Sequence, residues 1–167
     1  MPVLSIHRVP DPILNKPAHR VMRIDHAVNR LIDQMIAVMR HHPRCVGLAA
    51  PQVGSLLRIA VMDSSVHPKA GASHGLLVLV NPTLDLSEGG SVAREGCLSI
   101  PDFTGNVKRA THVRLRAQNR EGIWCDYLLE GFEAVVAQHE VDHLDGKLFL
   151  DRITNLATDL FRRKTYL

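Results

Sequence analysis

The chain has 167 residues, 46% of them apolar and 22% charged, with a formal net charge of +3. These totals fit one ordinary globular domain over residues 1–167, large enough to bury a core without staples. The mild basic excess allows an acidic partner such as RNA without demanding one, and nothing implies sequence-specific nucleic-acid binding. Three cysteines, Cys45, Cys97 and Cys125, make no disulfide framework and point to a reducing compartment. The N-terminus lacks a basic region followed by a long apolar run. The longest apolar stretch, Leu76 to Val80, is far too short to cross a membrane, so the expected location is the cytoplasm.

Taken in chain order, Val9 through Pro17 is proline-rich and is expected to be an extended surface arm. Asp25 is placed to cap a helix, and Val28, Leu31, Ile32, Met35, Ile36 and Met39 follow at helical spacing until Pro43 stops it. The middle reads as strands: Arg58 to Met62 and Gly75 to Val80, with Asn81-Pro82 and Gly89-Gly90 as punctuation. Ser64 to Ser73 reads as a surface loop. His112 to Ala117 alternates, Asn119 to Gly122 is turn chemistry, and Ile123 to Leu128 returns, which predicts a hairpin. From Phe132 the period is helical again, with Val135, Val136, His139, Glu140 and His143 on the same face and Gly146 as the cap. A weaker last helix is expected over about Asn155 to Arg163. The fold class is therefore α+β: antiparallel strands around a central helix, with an N-terminal amphipathic helix and a C-terminal helix.

The central helix carries His139-Glu140-Val141-Asp142-His143. Imidazoles four apart lie one turn above each other and can share a metal ion, and the glutamate between them can reach a water on it. Two histidines also fall this way by chance on exposed helices, but here Phe132, Val135 and Val136 turn the same face inward. A buried ionisable trio is costly unless something binds it. Two imidazoles leave the ion short of ligands. Thermolysin-like enzymes use a later glutamate, and none follows Glu140. Metzincins use H-E-x-x-H-x-x-G-x-x-H, and Phe149 stands where the third histidine belongs.

The candidate ligand lies upstream, in Glu95-Gly96-Cys97-Leu98-Ser99. A thiolate with two imidazoles leaves a fourth position open for water, the arrangement of a catalytic site. Cys125, beside Trp124 in the hairpin, reads as a small buried hydrophobe, whereas Cys45 beside a glycine turn stays a rival. The segment Cys45-Val46-Gly47-Leu48-Ala49-Ala50-Pro51-Gln52 is small and apolar apart from Gln52. It is either a tight turn before a strand or a bare backbone that lies along a substrate, with Gln52 reaching the reacting carbonyl.

Together these three clusters resemble the peptide deformylases, whose motifs are G-x-G-L-A-A-x-Q, E-G-C-L-S and Q-H-E-x-D-H. They stand here in the same order, at 45–52, 95–99 and 138–143, and the resemblance covers nearly the whole chain. It implies a metallohydrolase that removes the formyl group from the N-terminal methionine of new polypeptides. It implies Cys97, His139 and His143 as ligands of one divalent ion, with ferrous iron favoured and zinc, nickel or cobalt also suited to the donors. Glu140 is then the general acid/base, and Gln52 with the Leu98 N–H holds the oxyanion. Val46, Gly47, Phe132, Val135 and Val136 contact the substrate, although plain core packing also accounts for the apolar ones. Glu95 is expected to be a structural anchor, paired with backbone or an arginine. The basic run Arg162-Arg163-Lys164 is a solvated face or a transient ribosome contact, and His7, His19, His26, His67, His74 and His112 read as surface groups. One position departs from the family: its first glycine is Cys45, which cannot cheaply adopt positive φ. The rivals are another amide hydrolase with the same metal core, or a domain that keeps a structural metal.

Overall fold

The computed structural model describes residues 3–164. The N-terminal helix, α1, spans His26–His41, and the Asp25 carboxylate accepts the Val28 N–H at 3.0 Å as its cap. Strands β1 (Gly47–Ala49), β2 (Ile59–Met62), β3 (Leu77–Glu88), β6 (His112–Gln118) and β7 (Trp124–Glu130) form an antiparallel five-stranded sheet in the order β1-β2-β3-β6-β7. Strands β4 (Ser91–Cys97), β5 (Ile100–Arg109) and β8 (Leu160–Arg162) form a second sheet, ordered β4-β5-β8. The central helix α2 covers Gly131–Leu144, and α3 is one turn, Leu156–Asp159.

The period-two pattern of the strands decides what packs where. Leu48, Ile59 and Val61 turn toward α1, meeting Ile32, Met35 and Met39. Their neighbours Ala49, Ala60 and Met62 turn to the opposite face and meet Ala134, Ala137, Val141 and Leu144 of α2. The sheet is thus sandwiched, and α2 is buried nearly all round rather than along one stripe, because the second sheet covers its other side. Cys97, Ile100 and Val107 of that sheet pack with Leu14, Leu148 and Phe149.

The hairpin β6–β7 matches expectation: Val113, Leu115 and Ala117 are buried, and the Asn119 N–H donates to the Ile123 carbonyl at 2.9 Å across the turn. Other elements differ. The arm contains a 3-10 turn, Pro12–Asn15, which buries Leu14 beneath the second sheet. Strand β3 runs straight through Asn81-Pro82, because a register shift after Val80 absorbs the proline and Asn81 takes φ +54. The loop Ser64 to Ser73 opens with a 3-10 turn and buries Ser64 against Glu133 of α2. Cys125 is half-buried rather than buried. The C-terminal helix stops after one turn, and Leu160–Arg162 pairs instead with β5, opposite Phe103, Thr104 and Gly105.

Gly146 closes α2 at φ +74. A Cβ there would also sit 2.8 Å from the Asn15 carbonyl oxygen, so the position needs glycine twice over.

Candidate metal centre and catalytic cleft

Cys97 ends β4, and His139 and His143 project from α2 one turn apart. Folding brings their donor atoms within 4.8 Å of one another. The His143 Nε2 lies 3.4 Å from Cys97 Sγ and 3.2 Å from His139 Nε2. A four-coordinate ion with bonds of about 2.0–2.3 Å spaces its ligands about 3.3–3.8 Å apart, so these two separations come close to what a metal requires. Cys45 and Cys125 are not part of it. Burial holds His143 well below the usual imidazole range, which favours the neutral, ligating form.

The expected anchor, Glu95, has partners that the sequence did not name. Arg109, at the end of β5, donates to it from Nε at 2.6 Å and from an NH2 group at 2.9 Å. Glu95 Oε1 also faces His139 Nδ1 at 2.8 Å, which fixes the ring with its Nε2 toward the other ligands. Burial alone would raise the Glu95 carboxyl, but the bonds from Arg109 and His139 hold it at about 2. Arg109 reaches Asp142 of α2 as well, at 2.7 Å, and Asp142 in turn holds Arg152 at 2.8 Å. Arg109 and Asp142 were missed in the sequence. The one available signal was that Gly105, Val107 and Arg109 share the inward register of β5.

Glu140 lies beside the ligands, 3% exposed, with Oε2 lacking a hydrogen-bond partner among the described residues. Burial pushes its carboxyl up to about 7. Gly47 faces it: a Cβ there would collide with the Glu140 carboxylate. Gln52 is oriented by its neighbours. Its Oε1 accepts the Ala49 N–H at 3.0 Å, and its Nε2 points toward Cys97 Sγ at 3.4 Å and Ser99 Oγ at 3.1 Å.

These groups form the floor of an open cleft of about 980 Å³. Val46, Gly47, Leu98, Phe132, Val135 and Val136 all line it. So does His67, whose ring sits 4.6 Å from that of Phe132, and which was therefore misread as a plain surface group. His74 is likewise more than a surface group, since its Nδ1 lies 2.7 Å from buried Glu133, and His7 pairs with Asp11 at 2.7 Å.

A family profile described as Polypeptide deformylase matches residues 3–159. The chain belongs to the peptide deformylase family. A peptide deformylase of Syntrophobacter fumaroxidans is 42% identical over 164 residues, covering 98% of this chain and 94% of that protein. The crystal structure of a peptide deformylase from Legionella pneumophila superimposes with a TM-score of 0.84 at 38% identity, covering 93% of this chain and 88% of the other. A Met-Ala-Ser-bound class I type b peptide deformylase from Acinetobacter baumannii gives 0.84 at 34% identity, covering 91% and 99%. The departure from the deformylase pattern at Cys45 is resolved by its neighbour: Arg44 takes the positive φ, at +63, and Cys45 does not. The Cys45 thiol donates to the Gly47 carbonyl at 3.3 Å, and burial pushes it up to about 12, so it stays neutral and does not compete for the ion.

Proposed function

We propose that Glu140, Gln52 and Leu98 carry out the family reaction on this cleft floor: metal-dependent removal of the N-formyl group from the N-terminal methionine of newly synthesised polypeptides, with release of formate. The observation that carries this assignment is the buried Glu140 carboxylate, whose Oε2 has no hydrogen-bond partner among the described residues and which lies beside three converging ligand atoms. A purely structural metal site needs no such base.

Cys97, His139 and His143 would hold the ion. When bound, a divalent ion polarises water and carbonyl oxygen and lowers the pKa of its water toward about 7. Glu140, poised near neutrality, accepts the proton of the attacking water and delivers it to the departing amine. Gln52 Nε2, oriented through Oε1, donates to the oxygen that gains charge, together with the Leu98 N–H. Val46, Phe132, Val135 and Val136 receive the methionine side chain, and Gly47 lets the peptide pass close to Glu140. The cleft lies between the β1 edge of one sheet and the β4 edge of the other, so an extended peptide can pair with strand backbone as it enters. The Acinetobacter baumannii relative, bound to Met-Ala-Ser, supports a peptide as the ligand.

We read residues 1–167 as one catalytic domain acting in the cytoplasm on formyl-methionyl nascent peptides, with ferrous iron as the resident ion. No helix among the described residues is long and apolar enough to cross a membrane. Transient ribosome contact rests on Arg162, Arg163 and Lys164 alone, and these line the cleft, where the peptide is the nearer partner.

The test is formate release from formyl-Met-Ala-Ser by anaerobically purified protein loaded with ferrous iron or nickel, with Glu140→Ala as control. Formate from the wild type and a loss of at least about a hundredfold in the variant support the roles assigned. Metal bound without formate from either rules the reaction out. Cleavage of internal peptide bonds without formyl preference favours a general amide hydrolase.

A further inference from the structure

The residues lining the cleft are sharply unequal in charge. Six are cationic: Arg44, Lys69, Arg94, Arg162, Arg163 and Lys164. Among the described lining residues the acids are Glu95, already bound by Arg109, and Glu140 on the floor. None of the six cations forms an ion pair with a carboxylate among the described residues. The protein carries only +3 overall, so the cleft mouth concentrates positive charge far beyond the average of the surface.

Two of these cations are held in place rather than waving in solvent. The Arg94 guanidinium stacks 3.6 Å from the ring centre of Phe161, and its Nε donates to Asn106 Oδ1 at 2.9 Å. Phe161 is there because β8 pairs with β5 in place of the expected longer helix. Arg163 follows in the same segment: its backbone N–H donates to the Asp102 carbonyl at 2.8 Å, and its guanidinium lies over Gly96, where any Cβ would strike it. Gly96 therefore leaves room for a cation on the exposed face of β4, one residue before Cys97. Both guanidinium groups lie on the exposed face of the second sheet, on the side of β4 opposite to that from which Glu95 and Cys97 turn inward.

We propose that this collar selects formylated peptides with acidic side chains at the positions just after methionine, with Arg94 and Arg163 as the specificity-determining residues. The inference rests on the deformylase reading. An extended chain paired with the β4 edge turns its side chains alternately to the two faces of that sheet, so every second one shares the exposed face with the two guanidinium groups, whose planar forks suit carboxylate. The six cations line the same cleft whose floor carries the ligand triad, which suits a single threaded peptide better than a nucleic-acid backbone.

The experiment uses the nickel-loaded enzyme and three amide-capped substrates: formyl-Met-Ala-Ser, formyl-Met-Asp-Asp and formyl-Met-Lys-Lys. If the neutral peptide yields no formate, the deformylase reading itself fails. With the neutral peptide turned over, kcat/KM for the acidic peptide is expected to exceed that for the basic one by about tenfold at low salt, mainly through KM, and to fall within about twofold at about 0.5 M salt. The pair Arg94→Glu and Arg163→Glu is expected to invert the order. Arg23→Glu with Lys147→Glu makes the same change in net charge away from the cleft and is expected to preserve it. Equal rates for the two charged peptides, or inversion by the distant pair as well, overturn the proposal. Inhibition by a short RNA without discrimination between the peptides overturns it in favour of a nucleic-acid partner.

Discussion

Replacing Gly47 by alanine probes the tightest contact in the site. The added Cβ would lie 2.8 Å from Glu140 Cδ and 3.0 Å from Cγ, and closer still to Oε1. Carbon atoms prefer separations of about 3.5–4.0 Å, so the carboxylate must retreat by roughly 1 Å. A displacement of about 1 Å at a reacting group costs about a hundredfold in rate. The strand itself should tolerate the change: Gly47 is not in the left-handed region, and it sits on an edge strand opposite Met62. Gly47→Ala is therefore expected to lose about a hundredfold in kcat, with metal content and melting temperature nearly unchanged. A formate assay on the metal-loaded variant reads this directly. The cause is separated by repeating the substitution in a Glu140→Ala background, where no further loss is expected. A loss of less than about threefold would refute the steric argument. An equal loss in both backgrounds would instead mean that the methyl group blocks the peptide.

Arg109→Leu leaves Glu95 and Asp142, both at 5% exposure, without their shared cation; unfolding in denaturant should show a loss of about 3–5 kcal/mol. Gln52→Ala should lower kcat by about 10²–10³ with little change in KM, read from initial rates of formate release. Gly146→Ala forces a side chain into φ +74 against the Asn15 carbonyl and should cost at least about 1–2 kcal/mol, visible as a lower melting temperature. If iron is the resident ion, the iron form should lose activity during storage in air while the nickel form keeps it; equal survival argues against iron.

Much of this site was legible because its chemistry is local. The helix spacing of His139 and His143, the glutamate between them, and the cysteine before a turn are readable without a fold, since each depends on neighbours within a few residues. Hairpin β6–β7 was legible for the same reason: period-two burial and a turn lie within one stretch. What escaped depends on distant pairing. Strands β4 and β5 lack strong alternation of apolar and polar residues, because Glu95 and Arg109 occupy inward positions that a core strand normally gives to hydrophobes. The C-terminal segment was expected to stay helical, and tertiary pairing with Phe103 to Gly105 overrode that local preference. The central helix was read as amphipathic, but its second side is apolar and charged by turns. Only the presence of the other sheet shows that side to be buried.

The metal centre draws on both sheets, and this explains why so costly a group as Arg109 sits at its back. Cys97 and Glu95 come from β4, whereas the histidines come from α2, which packs on the five-stranded sheet. An apolar seam between these two bodies would bury area with little directional preference, and a slide of one past the other would change the triangle of donor atoms. Arg109 binds Glu95 on one side through two bonds and Asp142 on the other through a third, so a single rigid fork ties β4 and β5 to α2. Burying three charges is weak evidence for stability, since desolvation offsets much of the attraction. Its consequence here is positional. Glu95, pinned by Arg109, spends its remaining capacity on His139 Nδ1 and so leaves Nε2 facing Cys97 and His143. One arginine thereby sets the distance between the two bodies and the orientation of a ligand, before any ion arrives.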